Sequence, residues 1–210
     1  MAQGDTVTRI LDTAEVLFAE KGFAETSLRA ITSKAGVNLA AVNYHFGSKE
    51  ALIQAVFERF LDPFCDALAR RLDQANGETR SLEQLLGIVS ATALEVHQGD
   101  ARQLAIFFRL IGLAYTQAQG HMRRFLRQHY GPVFSRFLHL LSAATPTLTP
   151  VERFWRVHFA LGATIFTMSG MSSLTAICNK DFGEAVSPDQ VNQWLLDFVA
   201  GGMQAPAAAS

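Results

Sequence analysis

A chain of 210 residues that is 49% hydrophobic and 18% charged, with a formal net charge of −1, can bury a sizeable core, which excludes wholesale disorder. Cys65 and Cys178 are too few for a disulfide framework, and the absence of any CxxC or Cys/His cluster leaves no expectation of a metal or other cofactor. The opening MAQGDTVTRI has no apolar run behind a basic segment, which argues against a secretory signal and for a cytoplasmic protein.

Apolar spacing is helical almost throughout, with no sustained alternation of β-branched residues, so the fold class expected is all-α. The first helix reads from about 6 to 21, with Ile10, Ala14, Leu17 and Phe18 on one face and Gly22 as its stop. Thr26 or Ser27 caps a short second helix to about 34, whose inner face is Leu28, Ile31 and Ala35. Gly36 makes the turn, and Asn38 caps a third short helix that Val37 and Val42 staple in place. A fourth helix is expected over 48–74, a loop at 74–80, and five more helices at about 81–97, 101–116, 119–144, 150–178 and 187–202. Residues 204–210 read as a flexible tail. The boundaries drawn are 1–47 for a first domain and 48–203 for a second.

The near-neutral charge conceals an asymmetry. Residues 26–49 carry Arg29, Lys34 and Lys49 with no acidic residue, whereas residues 1–25 carry five acids against Arg9 and Lys21. Within that basic segment the spacing Leu28, Ile31, Ala35, Gly36, Val42, Phe46 is that of a helix-turn-helix, although two short helices of any bundle could produce it.

The wider string RILDTAEVLFAEKGFAETSLRAITSKAGVNLAAVNYHFGSKEALIQAVF, residues 9–57, closely resembles the DNA-binding domain of the tetracycline-repressor (TetR) family, in its LFAEKGF run, its AGVN turn and its YHFGSKEAL junction. GVNLAAVNYHFGSKEALIQAVF, with FFRLIGLAYTQAQGHMRRFL and FWRVHFALGATIFTMSG, carries a narrower likeness to the fatty-acid-responsive PsrA-type repressors of that family. The resemblance implies a DNA-binding regulator, not an enzyme, made of a three-helix helix-turn-helix domain and a C-terminal ligand-binding and dimerisation domain. It implies as partners a palindromic double-stranded operator, a second copy of the chain and a small-molecule effector, a long-chain fatty acid or its acyl-CoA ester. A different apolar effector, or an all-α lipid carrier, are the alternatives.

Asn43 stands where many family members have tyrosine. Its amide can pair with adenine or contact a phosphate, while Leu39, Ala40 and Ala41 are small or apolar enough for thymine methyls. Thr26, Ser27, Tyr44, Lys49 and the amides following Ser48 suit phosphates, as do Arg29, Lys34 and Asn38 around them. His45 suits either DNA contact or packing.

Thirteen of the 16 phenylalanines follow residue 47. Phe107, Phe108, Phe134, Phe137, Phe159 and Phe166 are candidates to line an apolar cavity, though such residues also make plain core. Arg109 interrupts the apolar run LAIFFRLIGLAY and, if buried, needs an anion, either an internal carboxylate or a ligand head group. His158 is a core histidine or a ligand contact. Residues 157–179 carry no Lys, Arg, Asp or Glu and are long enough to span a bilayer. Interrupting hydroxyls and glycines point instead to a close helix interface without a membrane. Gly162, Ser169 and Ser173 there, with Trp194 and Phe198 on the last helix, are the expected dimer contacts.

GxSxG, HExxH, P-loop and GxGxxG patterns are all missing, so no catalytic site is expected.

Overall fold

The computed structural model describes residues 3–74, 80–97, 100–117 and 120–206, and among these it contains nine helices and no strand. They are α1 (Gln3–Lys21), α2 (Leu28–Ala35), α3 (Leu39–His45), α4 (Lys49–Asp73), α5 (Leu82–Val96), α6 (Ala101–Thr116), α7 (Gly120–Ala144), α8 (Pro150–Phe182) and α9 (Pro188–Gln204). Seven of them start where a side-chain oxygen accepts from a first-turn amide: Ser27, Asn38, Ser48, Ser81, Asp100, Thr149 and Ser187. Ser81 and Ser187 close full capping boxes with Gln84 and Gln190. Helix α8 runs four residues beyond its expected end, because Asn179, Lys180, Asp181 and Phe182 continue the turn until Gly183. Residues 75–79 of the expected loop and 207–210 of the expected tail lie outside the described residues.

The chain forms two compact units. The first takes Met1–Pro63 with Arg109–Tyr130, so the expected boundary at 47/48 falls inside it. Its core is the apolar face of α1 (Ile10, Ala14, Leu17, Phe18), closed by Ile31, Val42, Leu52, Val56 and Phe57, all buried. Phe23 links the layers, 5.4 Å from Phe18 and 6.1 Å from Phe57 between ring centres. Its backbone amide donates to the Gln117 side chain at 3.1 Å. A charged cluster joins α1 to α4: Arg59 Nη1 lies 2.5 Å from Asp12 Oδ1 and 3.0 Å from Glu15 Oε1. Glu15 is buried, and that burial outweighs the Arg59 charge, pushing its carboxyl up to about 7.

The second unit takes Phe64–Phe108 with Gly131–Ser210. Leu82, Leu85, Leu141, Leu148, Val199 and Met203 form a core in which α5 and α9 pack together, and α8 packs along α9. Arg156 fastens the end of α9: it donates to the carbonyls of Gly202, Met203, Ala205 and Pro206 and pairs with Glu152 at 2.8 Å. The Gln204 side chain donates to Glu83 at 2.5 Å. Residues 204–206 are therefore tied down, contrary to the expectation of a free tail beginning at 204.

Candidate nucleic-acid interface

The turn between α2 and α3 is fixed by Gly36, which adopts φ 65° and ψ 38°, a left-handed conformation that an L side chain resists. The Arg9 guanidinium reaches from α1 to the carbonyls of Ala35 and Gly36, satisfying groups that the end of α2 leaves open. Asn38 Oδ1 accepts from the Ala41 amide at 2.9 Å and starts α3. With Val42 fully buried, α3 is anchored through one position, and Leu39, Ala40, Asn43 and Tyr44 are left on its exposed side. Tyr44 is 76% exposed, so its ring has no core role. His45, half-buried, sits between Tyr44 and Phe46, with ring centres at 5.0 and 6.3 Å, and Ala41 is likewise half-buried.

Around this face, Ser27, Arg29, Lys34 and Asn38 are exposed. Lys49 is half-buried and its ammonium donates to the Ala24 carbonyl at 3.3 Å, which draws it to the turn between α1 and α2. Two expectations change. Thr26 is 1% exposed, and its hydroxyl is committed to the carbonyls of Gly22 (2.8 Å) and Leu17 (3.1 Å), so it is a packing residue of the α1 to α2 turn and not a phosphate donor. The head of α4 is also occupied. Ser48 Oγ accepts from the Ala51 amide at 3.0 Å, and the Glu50 carboxylate, held below its ordinary pKa by its own amide and by Ser48, competes for the place expected of a phosphate.

The expected ligand residues divide. In the second unit Phe107 is buried, with ring centres 6.4 Å from Phe64, 5.4 Å from His97 and 5.4 Å from Phe108. Phe64 and His97 were not expected there; Phe64 is in helical register with buried Ile53, Phe57, Phe60 and Leu61 on α4, a phase that could have pointed to it, whereas His97 caps the end of α5 with no sequence cue. Burial pulls the pKa of His97 down. Phe134 and Phe137 are half-buried on α7, Phe137 against the second-unit core. His158 Nδ1 lies 2.7 Å from the Phe154 carbonyl, and its ring is 4.1 Å from that of Phe154, which accounts for it within its own helix.

Three residues depart from expectation. Arg109 is exposed on α6, so the burial that called for an anion is absent. Phe159 and Phe166 are 67% and 68% exposed and line no enclosed cavity of this chain. They belong instead to a stripe along α8 comprising Val151, Trp155, Phe159, Gly162, Phe166, Ser169, Ser173 and Ile177, at steps of three and four residues. No residue of α8 is fully buried within the chain, although it is long and apolar enough to cross a membrane. Trp194 and Phe198, one turn apart on α9, are 57% and 70% exposed.

A family model described as "Bacterial regulatory proteins, tetR family" matches residues 10–56, and one described as "Tetracyclin repressor-like, C-terminal domain" matches residues 88–202. The chain belongs to the TetR family. TetR-family proteins are transcriptional regulators that bind DNA, and they are not enzymes. The chain is similar to the HTH-type transcriptional repressor KstR2 of Mycobacterium tuberculosis, 32% identical over 105 residues, 46% of this chain and 51% of that protein. It is also similar to the HTH-type transcriptional regulator UidR of Escherichia coli K12, 45% identical over 51 residues, 24% of this chain and 26% of UidR. The chain thus spans about half the length of the curated KstR2 relatives it matches. Among solved structures it resembles a tetR-family transcription regulator from Shewanella sp. PV-4, with a TM-score of 0.57 at 18% identity over 94% of this chain and 93% of the other. A HlyIIR mutant protein gives a TM-score of 0.54 at 15% identity over 97% and 100%. At such identities the likeness to both is one of fold.

Proposed function

We propose that this TetR-family chain is a homodimeric repressor acting in the cytoplasm, whose α3 helices enter the major groove of a palindromic operator and which a long-chain fatty acid or acyl-CoA releases. The observation that carries the DNA reading is the exposed face of Leu39, Ala40, Asn43 and Tyr44 over a fully buried Val42, inside a segment with three cations and no acid. Asn43 reads a base edge, and Ser27, Arg29, Lys34, Asn38, Tyr44, His45 and Lys49 position the backbone. The alternative of a lipid carrier leaves that face without a purpose.

The dimer reading rests on the apolar stripe of α8 with Trp194 and Phe198. Exposed apolar area of this extent needs a partner, and Gly162, Ser169 and Ser173 let a two-fold mate approach closely. Such pairing also answers the membrane alternative for α8. The effector reading rests on the cluster of buried Phe64, Phe107 and His97 with half-buried Phe108, and on the narrower resemblance in sequence. A ligand preferring the conformation with the wrong spacing of the two α3 helices shifts the population off DNA, and about 1–3 kcal/mol of coupling suffices for partial release. Helix α4, which begins beside the helix-turn-helix and supplies Phe64 to the second unit, is the lever.

Operator release titrated with acids of increasing length, with their alcohols and with acyl-CoA esters tests the effector. Each methylene buried adds roughly 0.8 kcal/mol until the space is filled, so potency rises about fourfold per CH2 and then levels off. Release by an apolar compound without chain-length dependence would favour a different effector, and no release by any acid or ester would end the lipid reading while leaving the repressor reading intact.

A further inference from the structure

One hydrogen bond of the first unit joins its DNA-reading end to a residue far along the chain. The Phe23 backbone amide, in the turn between α1 and α2, donates to Gln117 Oε1 at 3.1 Å across 94 positions of sequence. Gly22, at φ 85°, leaves room for that side chain: Gln117 Nε2 stands 2.7 Å from the place a Cβ on Gly22 would take. Gln117 is half-buried, and its own amide donates to the Leu113 carbonyl at 2.9 Å, which continues the last turn of α6. Phe23 is 1% exposed, so water is a poor substitute for the acceptor that Gln117 supplies.

The turn over 22–26 is where α2 takes its direction. Helices α2 and α3 have eight and seven residues, too few to stand alone, so their pose depends on what grips them. Arg9 grips the far end of α2 through the Ala35 and Gly36 carbonyls, while the Thr26 hydroxyl and the Lys49 ammonium take the carbonyls of Leu17, Gly22 and Ala24 at its entry. Each of those contacts takes a carbonyl. Gln117 takes an amide of the turn, and does so from the end of a helix that carries none of the DNA-reading residues.

We propose that Gln117 is a positioning residue for operator recognition, which touches no DNA and sets the pose of α2 and α3 by holding the Phe23 amide. The consequence is for specificity more than for affinity. A base-edge hydrogen bond from Asn43 fails when its distance or angle drifts, whereas attraction between the basic segment and phosphates is long-ranged and tolerates a tilt. Loss of the Gln117 acceptor therefore costs discrimination between operator and random DNA first. The proposal rests on the operator reading of α3, concerns the first unit alone, and stands whether or not the effector is a lipid.

The test uses the full-length protein and an operator that the wild type selects from random DNA. Fluorescence anisotropy gives the ratio of operator affinity to random-sequence affinity, and amide hydrogen exchange reports on Phe23. Gln117→Ala should lower the ratio by about fivefold or more and speed exchange at the Phe23 amide by about tenfold, with random-sequence affinity within about twofold of wild type. Gln117→Glu keeps an acceptor at the same reach. Its added charge acts on both DNAs alike and cancels in the ratio, which should return to within about twofold of wild type. Thermal melts confirm that both variants are folded at the assay temperature, and Gln117→Glu supplies a second comparison if Gln117→Ala is not. An unchanged ratio in Gln117→Ala with faster Phe23 exchange makes the bond structural only and overturns the proposal. Unchanged exchange, or a ratio as low in Gln117→Glu as in Gln117→Ala, overturns it too. A wild type that selects no sequence from random DNA ends the operator reading itself, and does so before any variant is compared.

Discussion

Glu15 is the group whose environment departs most from what its sequence neighbours suggest, and its removal by Glu15→Gln has a consequence with a definite sign. Its carboxyl is raised from 4.5 to about 7, by burial first and despite Arg59. Below 4.5 the group is protonated whether the chain is folded or unfolded and costs nothing. As pH rises towards 7 the unfolded chain releases the proton and the folded one holds it, so folding stability falls, and above 7 the loss levels off at about 3 kcal/mol. The amide introduced by Glu15→Gln cannot ionise, and Arg59 keeps Asp12 as a partner at 2.5 Å. The variant should therefore match wild type near pH 4.5 and exceed it by up to about 3 kcal/mol at pH 8, which for a chain of this size corresponds to roughly 6–12 °C in melting temperature. Thermal melts of both proteins in half-unit steps from pH 4.5 to 8.5 measure the difference directly, since other titrating groups cancel between them. A difference that stays constant with pH, or a wild type that gains on the variant as pH rises, refutes the account of a buried carboxyl at the α1 to α4 contact.

Asn43→Ala and Lys49→Ala should differ in kind: Lys49→Ala weakens binding to all DNA sequences and lowers the salt slope by about 1, while Asn43→Ala relaxes preference at one base pair in a set of operator variants. A uniform loss for Asn43→Ala would return that residue to the phosphate backbone. Ser169→Arg sets a charge in the middle of the α8 stripe, and sedimentation should show a smaller species with operator affinity lost alongside; an intact dimer would move the interface elsewhere. Gly36→Ala would place a Cβ 2.7 Å from Arg9 Nη2 at a φ of 65°, so the arginine must release the turn, at about 1–3 kcal/mol in denaturant melts. In an Arg9→Ala background the same substitution should cost only about 1 kcal/mol, the backbone strain that remains.

Helix placement was legible because its signals are local. A capping side chain needs only the next three residues, and Ser27 and Asn38 each mark an expected start that the structure repeats. The turn at Gly36 and the buried Val42 likewise follow from a span of a dozen residues, which is why the candidate DNA-reading face is nearly all present in the string from 26 to 49. What failed was the assignment of faces within helices. Thr26 carries an N-cap residue type, but Ser27 takes the cap, and the hydroxyl one position earlier turns back to the carbonyls closing α1.

Arg109 and the α8 stripe mark two different reasons for such failures. Arg109 has apolar neighbours on both sides in sequence, which suggested burial, but burial along a helix is decided by phase and not by adjacency. In α6 the buried positions are 104, 107, 110 and 114, and residue 109 is rotated about 200° from 107, so its exposure was recoverable from the sequence by following that phase. The α8 stripe was not recoverable in this way. Phe159 and Phe166 fall in phase with Gly162 and Ser169, and the phase says only that these residues share a face. A face that lines a ligand cavity, one that packs on the chain's own core and one that waits for a second copy all favour the same apolar and small residues, because each removes apolar area from water at the same gain per unit area. The identity of the covering surface is a property of what stands opposite the helix, which is why Phe107, with Phe64, Phe108 and His97 around it, remains a candidate for ligand contact, while Phe159 and Phe166 pass to the proposed two-fold interface.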